Sequence, residues 1–180
     1  MSAKQRAARS RKIAKTYKER RQNLWPELTD DDFWSKDNKG FVCIPRCMPI
    51  IMLIMDYFSP NKPLSKTYFS LWCRCFDEML VRADNQIVLA MEAGFSGERQ
   101  VTTWKSRVDK LEELGFIKKK KGFDGEMILL LNPFKIILGL FESEKNTPSL
   151  LFLKDALETR VLEVGSNDII NLRDIEEDEE

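Results

Sequence analysis

A chain of 180 residues, 43% of them hydrophobic, can bury a sizeable core, and its length suits one domain with appendages. Its 29 basic and 29 acidic residues cancel, but they are segregated along the chain. There is no histidine, no glycine-rich phosphate loop and no nucleophile motif. A general base would have to be a carboxylate, Lys, Cys or Tyr of shifted pKa. No such group converges in the sequence, so neither enzyme activity nor a cofactor is expected.

Residues 1–23 carry nine Lys or Arg, Arg9, Arg11 and Lys12 among them, against the single acid Glu19. Residues 174–180 carry six acids and no base. A basic head with an acidic tail suits a chain that meets a polyanion at one end. The head reads as a flexible arm, too poor in apolar residues to fold alone, that becomes helical on binding. Its start lacks the apolar core of a signal peptide and the amphipathic pattern of a transit peptide. No segment reaches the length of a membrane span; Met48–Met55 is too short and carries Pro49. A cytoplasmic protein without membrane contact is expected. Cys43, Cys47, Cys73 and Cys75 are too few for a disulfide scaffold and badly spaced for a metal, so no metal site is expected.

Along the chain, Leu24, Trp25, Phe33 and Trp34 supply large apolar groups, and Thr29 with Asp30–Asp32 reads as a capped helix start. Gly40–Pro45 reads as a short strand ended by proline. Met48–Phe58 reads as a buried helix with Pro49 in its first turn. After the breakers of 59–63, Ser65 is expected to cap a long helix to about Arg82, with Tyr68, Leu71, Trp72, Cys75, Phe76, Met79 and Leu80 on its core face.

A shorter helix, about Asn85–Ala93, ends at Gly94. Phe95 follows as a core plug, and Ser96 is expected to cap a second helix running to Leu114. A connection of about three residues is the turn of a helix-turn-helix. In the second helix Val101, Trp104, Val108, Leu111 and Leu114 share one face. Arg99, Thr102, Thr103, Ser106 and Lys110 fall opposite, flanked by Gln100 and Arg107. Hydroxyls and cations on an exposed face suit base edges and phosphates, as they suit a merely solvated surface.

Gly115 ends that helix. Ile117 and Lys118, Lys119, Lys120 and Lys121 form a strand, Gly122–Gly125 a turn, and Met127–Leu131 an apolar strand. Lysines at alternate positions face opposite sides, so only some can address one phosphate row. Phe134–Phe141 reads as a helix and 143–147 as a polar linker. In Pro148–Val164, Leu150, Leu153, Leu157, Val161 and Val164 make a narrow seam that either joins two copies or folds back on its own domain.

The order helix, turn, helix, basic hairpin gives the expected fold class: mainly α with a small β-sheet, a winged helix-turn-helix with a flexible basic N-terminal arm and a C-terminal helix. The expected divisions are 1–23, an arm; 24–142, the winged-helix domain; 143–173, a C-terminal helical segment for possible dimerisation; and 174–180, an acidic tail. Phe41-Val-Cys-Ile-Pro-Arg46, Leu89-Ala with Gly94-Phe-Ser96, Leu111-Glu-Glu-Leu-Gly-Phe-Ile117 and Leu130-Leu-Asn-Pro133 resemble winged-helix domains of plasmid replication initiators and their regulators. The resemblance covers about residues 40–135. It implies binding of double-stranded DNA at repeated or palindromic sites, often as dimers, through Arg99, Gln100, Thr103, Ser106 and Arg107 and the lysines 118–121. The long basic arm and the lack of an evident second initiator domain depart from that pattern and favour a regulator of transcription or replication. A protein-interaction scaffold, or an RNA-binding protein using the arm, are the alternatives.

Overall fold

The computed structural model describes residues 3–35, 37, 39–75, 78–122, 125–145 and 147–166. The chain divides into two compact units, Met1–Phe41 and Val42–Glu180. Mainly helical, it adds one small three-stranded antiparallel sheet among the described residues. No helix among them is long and apolar enough to cross a membrane.

In the first unit, Ala3–Leu24 forms helix α1. The sequence suggested an arm ordered only on contact; the structure makes it helical from Ala3. Ala, Arg, Lys, Gln and Glu are strong helix formers, and 22 residues exceed the length at which nucleation dominates. Its C-terminal end is tied down. Asp30 accepts from Lys18 Nζ at 2.7 Å and from Arg21, and the Arg21 guanidinium lies 4.1 Å from the Phe33 ring centroid. Hydrogen bonds from Lys18 and Arg21 hold the Asp30 carboxyl below its ordinary pKa. Asp30–Asp32 form the expected capped turn, closed by Thr29 N donating to Asp32 Oδ2 at 2.8 Å.

The second unit is built on α2 (Met48–Tyr57), which buries Met48, Ile51, Ile54 and Met55. Helices α3 (Ser65–Arg74), α6 (Pro133–Ser143) and α7 (Pro148–Val164) pack around it. Residues 40–45 form no strand; instead the Cys43 carbonyl accepts from Trp72 Nε1 at 2.9 Å. Ser65 does not cap α3. Asp56, from the end of α2, accepts from the backbone N–H of Leu64 and Ser65 at 2.6 and 2.9 Å.

Helix α3 also stops eight residues early. Cys75 is extended, Met79 has a positive φ of 54°, and Leu80–Arg82 is strand β1. Phe76, one of the expected core positions, lies outside the described residues. Three-residue β1 pairs with β3 (Gly125–Leu130) in the register Leu80↔Leu129, Val81↔Ile128, Arg82↔Met127. Strand β2 (Ile117–Gly122) pairs on the other side of β3, so the order is β1-β3-β2. Phe123 and Asp124, assigned to the hairpin turn, lie outside the described residues, as does the acidic tail 174–180.

Helix α7 settles the fate of the seam. Leu150, Leu157 and Val161 are buried in the chain's own core, and Leu153 is half-buried. Of the two partners the seam allowed, its own domain takes Leu150, Leu157 and Val161, with α7 packed on α2, so the possible dimer through Leu150, Leu153, Leu157 and Val161 gains no support from the fold.

Arg74 at the end of α3 pairs with Glu92 of the helix that follows β1; Arg74 Nη2 lies 2.5 Å from Glu92 Oε1. The hydrogen bond from Arg74 holds the Glu92 carboxyl below its usual pKa. A carboxylate lowered on folding adds stability above its unfolded pKa, about 4, and loses it as pH falls through the folded value. Glu92→Gln should therefore narrow the gap in melting temperature between pH 7 and pH 3. The pair is partly exposed, so the effect at pH 7 should stay below about 1 kcal/mol.

Candidate nucleic-acid interface

Helix α4 (Gln86–Glu92) opens on Asn85, whose side chain accepts from Val88 N. It exits through Gly94 at φ 81°, where Phe95 N bonds Ala90 O and Gly94 N bonds Met91 O, both at 2.9 Å. Helix α5 (Gln100–Glu113) exits the same way through Gly115, with Phe116 N on Leu111 O at 2.9 Å. Both are paired-bond helix ends that require a left-handed residue after the cap, which glycine adopts without strain.

The entry to α5 differs from expectation. Its N-cap is Arg99, not Ser96. Gly97, at φ 82°, starts another turn, closed by Gln100 N on Gly97 O at 3.1 Å. The connection therefore runs from Ala93 to Arg99, longer than the expected turn of about three residues because Gly97 starts a turn of its own, and Arg99 stands at the mouth of the helix rather than along its side.

The core face of α5 is as expected: Trp104, Val108 and Leu111 are buried. On the other side Arg99 and Thr102 are exposed, while Gln100, Thr103, Ser106, Arg107 and Lys110 are half-buried. The structure adds Lys105, exposed one turn beyond Thr102. Its i, i+3 spacing from Thr102 was the signal in the sequence that could have found it. Charge is segregated along this helix. Positions 99–107 hold Arg99, Lys105 and Arg107 and no acid, whereas 108–114 hold Asp109, Glu112 and Glu113 with Lys110.

The cations of the second half are spent. Lys110 Nζ lies 2.5 Å from Glu113 Oε1. Lys119, on β2, reaches back to α5 and lies 2.5 Å from Asp109 and 3.0 Å from Glu112. Its backbone N–H also donates to Glu112 Oε1 at 2.8 Å. Partial burial works against the charged ammonium, but its hydrogen bonds to the Asp109 and Glu112 carboxylates outweigh it and hold the Lys119 pKa above the ordinary lysine value. Arg107 is different: its Nε is buried with no hydrogen-bond partner among the described residues.

The register sorts the four lysines. Ile117, Lys119 and Lys121 alternate with Lys118 and Lys120. Lys119 faces α5, so Lys121 shares its side of the sheet, opposite Glu126. Lys118 and Lys120 are exposed on the reverse side. Arg9, Arg11 and Lys12 are exposed on α1 in the first unit.

Lys119→Met should weaken any anion binding at α5 roughly tenfold, by freeing two carboxylates and loosening the hairpin, while leaving the salt slope unchanged. A lysine in direct phosphate contact would instead lower that slope by about 0.9. A salt titration of the variant separates the two.

Elsewhere the chemistry is sparse. A cavity of about 500 Å³ between α2 and α3 is lined by Ile44, Met48, Met52, Leu53 and Phe69, and Asp56 on its wall is occupied in capping α3. Cys43 and Cys73 are exposed, while Cys47 and Cys75 are buried. Burial pushes the Cys75 thiol up to about 11. No group of three or more metal-ligating side chains comes together among the described residues. No family model matches the chain, and comparison with curated proteins and with solved structures found no match either.

Proposed function

We propose that β1, α4, α5 and the β2–β3 hairpin act as a winged helix-turn-helix that binds double-stranded DNA sequence-specifically, in a cytoplasmic regulator of transcription or of plasmid or mobile-element replication. The observation that carries this reading is the segregation of charge along α5. An N-terminal half with three cations and four polar side chains follows a helix joined to it by a glycine turn. A basic hairpin lies directly after it.

The mechanism follows from that polarity. The N-terminal half of α5 enters the major groove, adding the positive end of the helix dipole to its cations. Arg99, Gln100, Thr102 and Thr103 address base edges; Lys105, Ser106 and Arg107 hold phosphates. The carboxylates Asp109, Glu112 and Glu113 repel the backbone and keep the C-terminal half out, which fixes the tilt of the helix. Lys118, Lys120, Lys121 and the cations of α1 add attraction that carries no sequence information.

The test is a titration of random duplex DNA with the intact chain across salt. With roughly six phosphates neutralised, affinity should fall about a thousandfold between 50 and 200 mM salt. Deleting residues 1–23 should weaken binding to every sequence alike and flatten the slope. Arg99→Ala should mainly relax sequence preference, by about 1–3 kcal/mol at the base it reads. Absence of duplex binding at low salt overturns the reading.

A further inference from the structure

The two units treat their tryptophans in opposite ways, although Phe152 of the second unit is itself 70% exposed. In the second unit Trp72 and Trp104 are 8% and 1% exposed. In the first, Tyr17 is 64% exposed, Trp25 50%, Trp34 68% and Phe41 51%. A ring of this size buries some 150–250 Å² when it finds a partner; Trp34 and Phe41 meet edge to face at 6.0 Å, yet all four stay half or more in solvent. The same unit carries unpaired cations. Lys4, Arg9, Arg11 and Lys12 are exposed, and none forms an ion pair among the described residues. Asp30 takes up Lys18 and Arg21 instead, which fixes the end of α1 beside the segment that bears Trp25 and Trp34.

Cations followed by exposed rings fit one chemistry best. Duplex nucleic acid offers phosphates, but its bases are stacked inside and out of reach of a ring. A single strand offers phosphates and free base faces together. An anionic membrane surface fits less well. Helix α1 has only Ile13, Tyr17 and Leu24 along its apolar side in 22 residues, too little to insert.

We propose that residues 3–35 form a binding site for single-stranded nucleic acid, in which Tyr17, Trp25 and Trp34 stack on bases and the cations of α1 hold the backbone. This site shares the cations of α1 with the duplex reading, but its rings do not depend on that reading. DNA and RNA single strands share the chemistry, and the sugar is what the experiment must assign.

The intact chain and its variants are titrated into fluorescein-labelled dT20, rU20 and random duplex DNA, with strand anisotropy giving the affinity, and tryptophan emission of the intact chain is followed on adding each strand and phosphatidylserine vesicles. Because Trp72 and Trp104 are buried, quenching by a stacked strand reports Trp25 and Trp34. Both strands should quench, and whichever binds tighter names the sugar. Replacing Trp25 and Trp34 together by Ala should cost roughly tenfold per ring in strand affinity, with duplex affinity changed less than about threefold. Replacement by Phe should restore most of the loss, which separates stacking from a damaged fold. Alanine at Arg99 and Arg107 should leave strand binding intact whether or not duplex binding is lost, so the two readings fail separately. Strand binding without quenching, an unchanged affinity in the Ala variant, or a preference for vesicles overturns the proposal.

Discussion

Replacing Arg99, Lys105 and Arg107 together by alanine should lower affinity for random duplex DNA by roughly a hundredfold at low salt and reduce the salt slope by about 1.8, the share of the two phosphate contacts of Lys105 and Arg107. These are the cations of the carboxylate-free half of α5. None of them forms an ion pair among the described residues. Their removal therefore takes away attraction without leaving a buried acid behind, and the fold should hold. The same change at Lys110 and Lys119 would confound the measurement, since both are already neutralised by Glu113, Asp109 and Glu112. Filter binding or fluorescence anisotropy at several salt concentrations checks the slope. A slope unchanged in the triple variant would place the phosphates elsewhere on the molecule.

Trp104→Ala should be the most damaging single substitution, costing about 3–5 kcal/mol and lowering the melting temperature by roughly 10–20 °C. Trp104 is fully buried and anchors α5 to the core between Val101 and Val108. Its removal leaves a hole that the surrounding core cannot close without moving its elements. Trp104→Phe should cost less than half as much. The smaller ring still fills most of the space, and the indole N–H it removes is buried without a partner, so that loss carries no broken hydrogen bond. Thermal melts of the two variants give the comparison directly.

Much of the architecture was legible along the chain because local chemistry determines it. Pro49 within α2, Asn132-Pro133 and Thr147-Pro148 opening α6 and α7, and Gly94 and Gly115 closing α4 and α5 all act through their immediate neighbours. What was not legible depends on distant partners. The three- and four-residue spacing of apolar side chains continues past Arg74, yet the chain from Leu80 becomes a strand because β3, nearly fifty residues later, pairs with it. Capping of α3 by Asp56 instead of Ser65 depends on how α2 ends.

The candidate site divides the same way. Which face of α5 turns outward follows from periodicity. Which of four consecutive lysines is free follows only from the register of β2 on β3 and from the carboxylates that α5 brings to Lys119. The seam of α7 had the right spacing for either of two partners, and only packing against α2 decided between them.

The bond from Lys119 N–H to Glu112 has a consequence beyond the helix it joins. With strand order β1-β3-β2, β2 lies at the margin of the sheet, and this N–H, taken up by Glu112, is no longer available to another strand. Such unpaired backbone rows recruit strands from neighbouring molecules and seed aggregation. Glu112 stoppers that row from within the same chain, and the lysines on either side charge the approach to it. The carboxylate that ties the hairpin to α5 thus also blunts the β2 edge of a small, lysine-rich sheet against a stranger's strand.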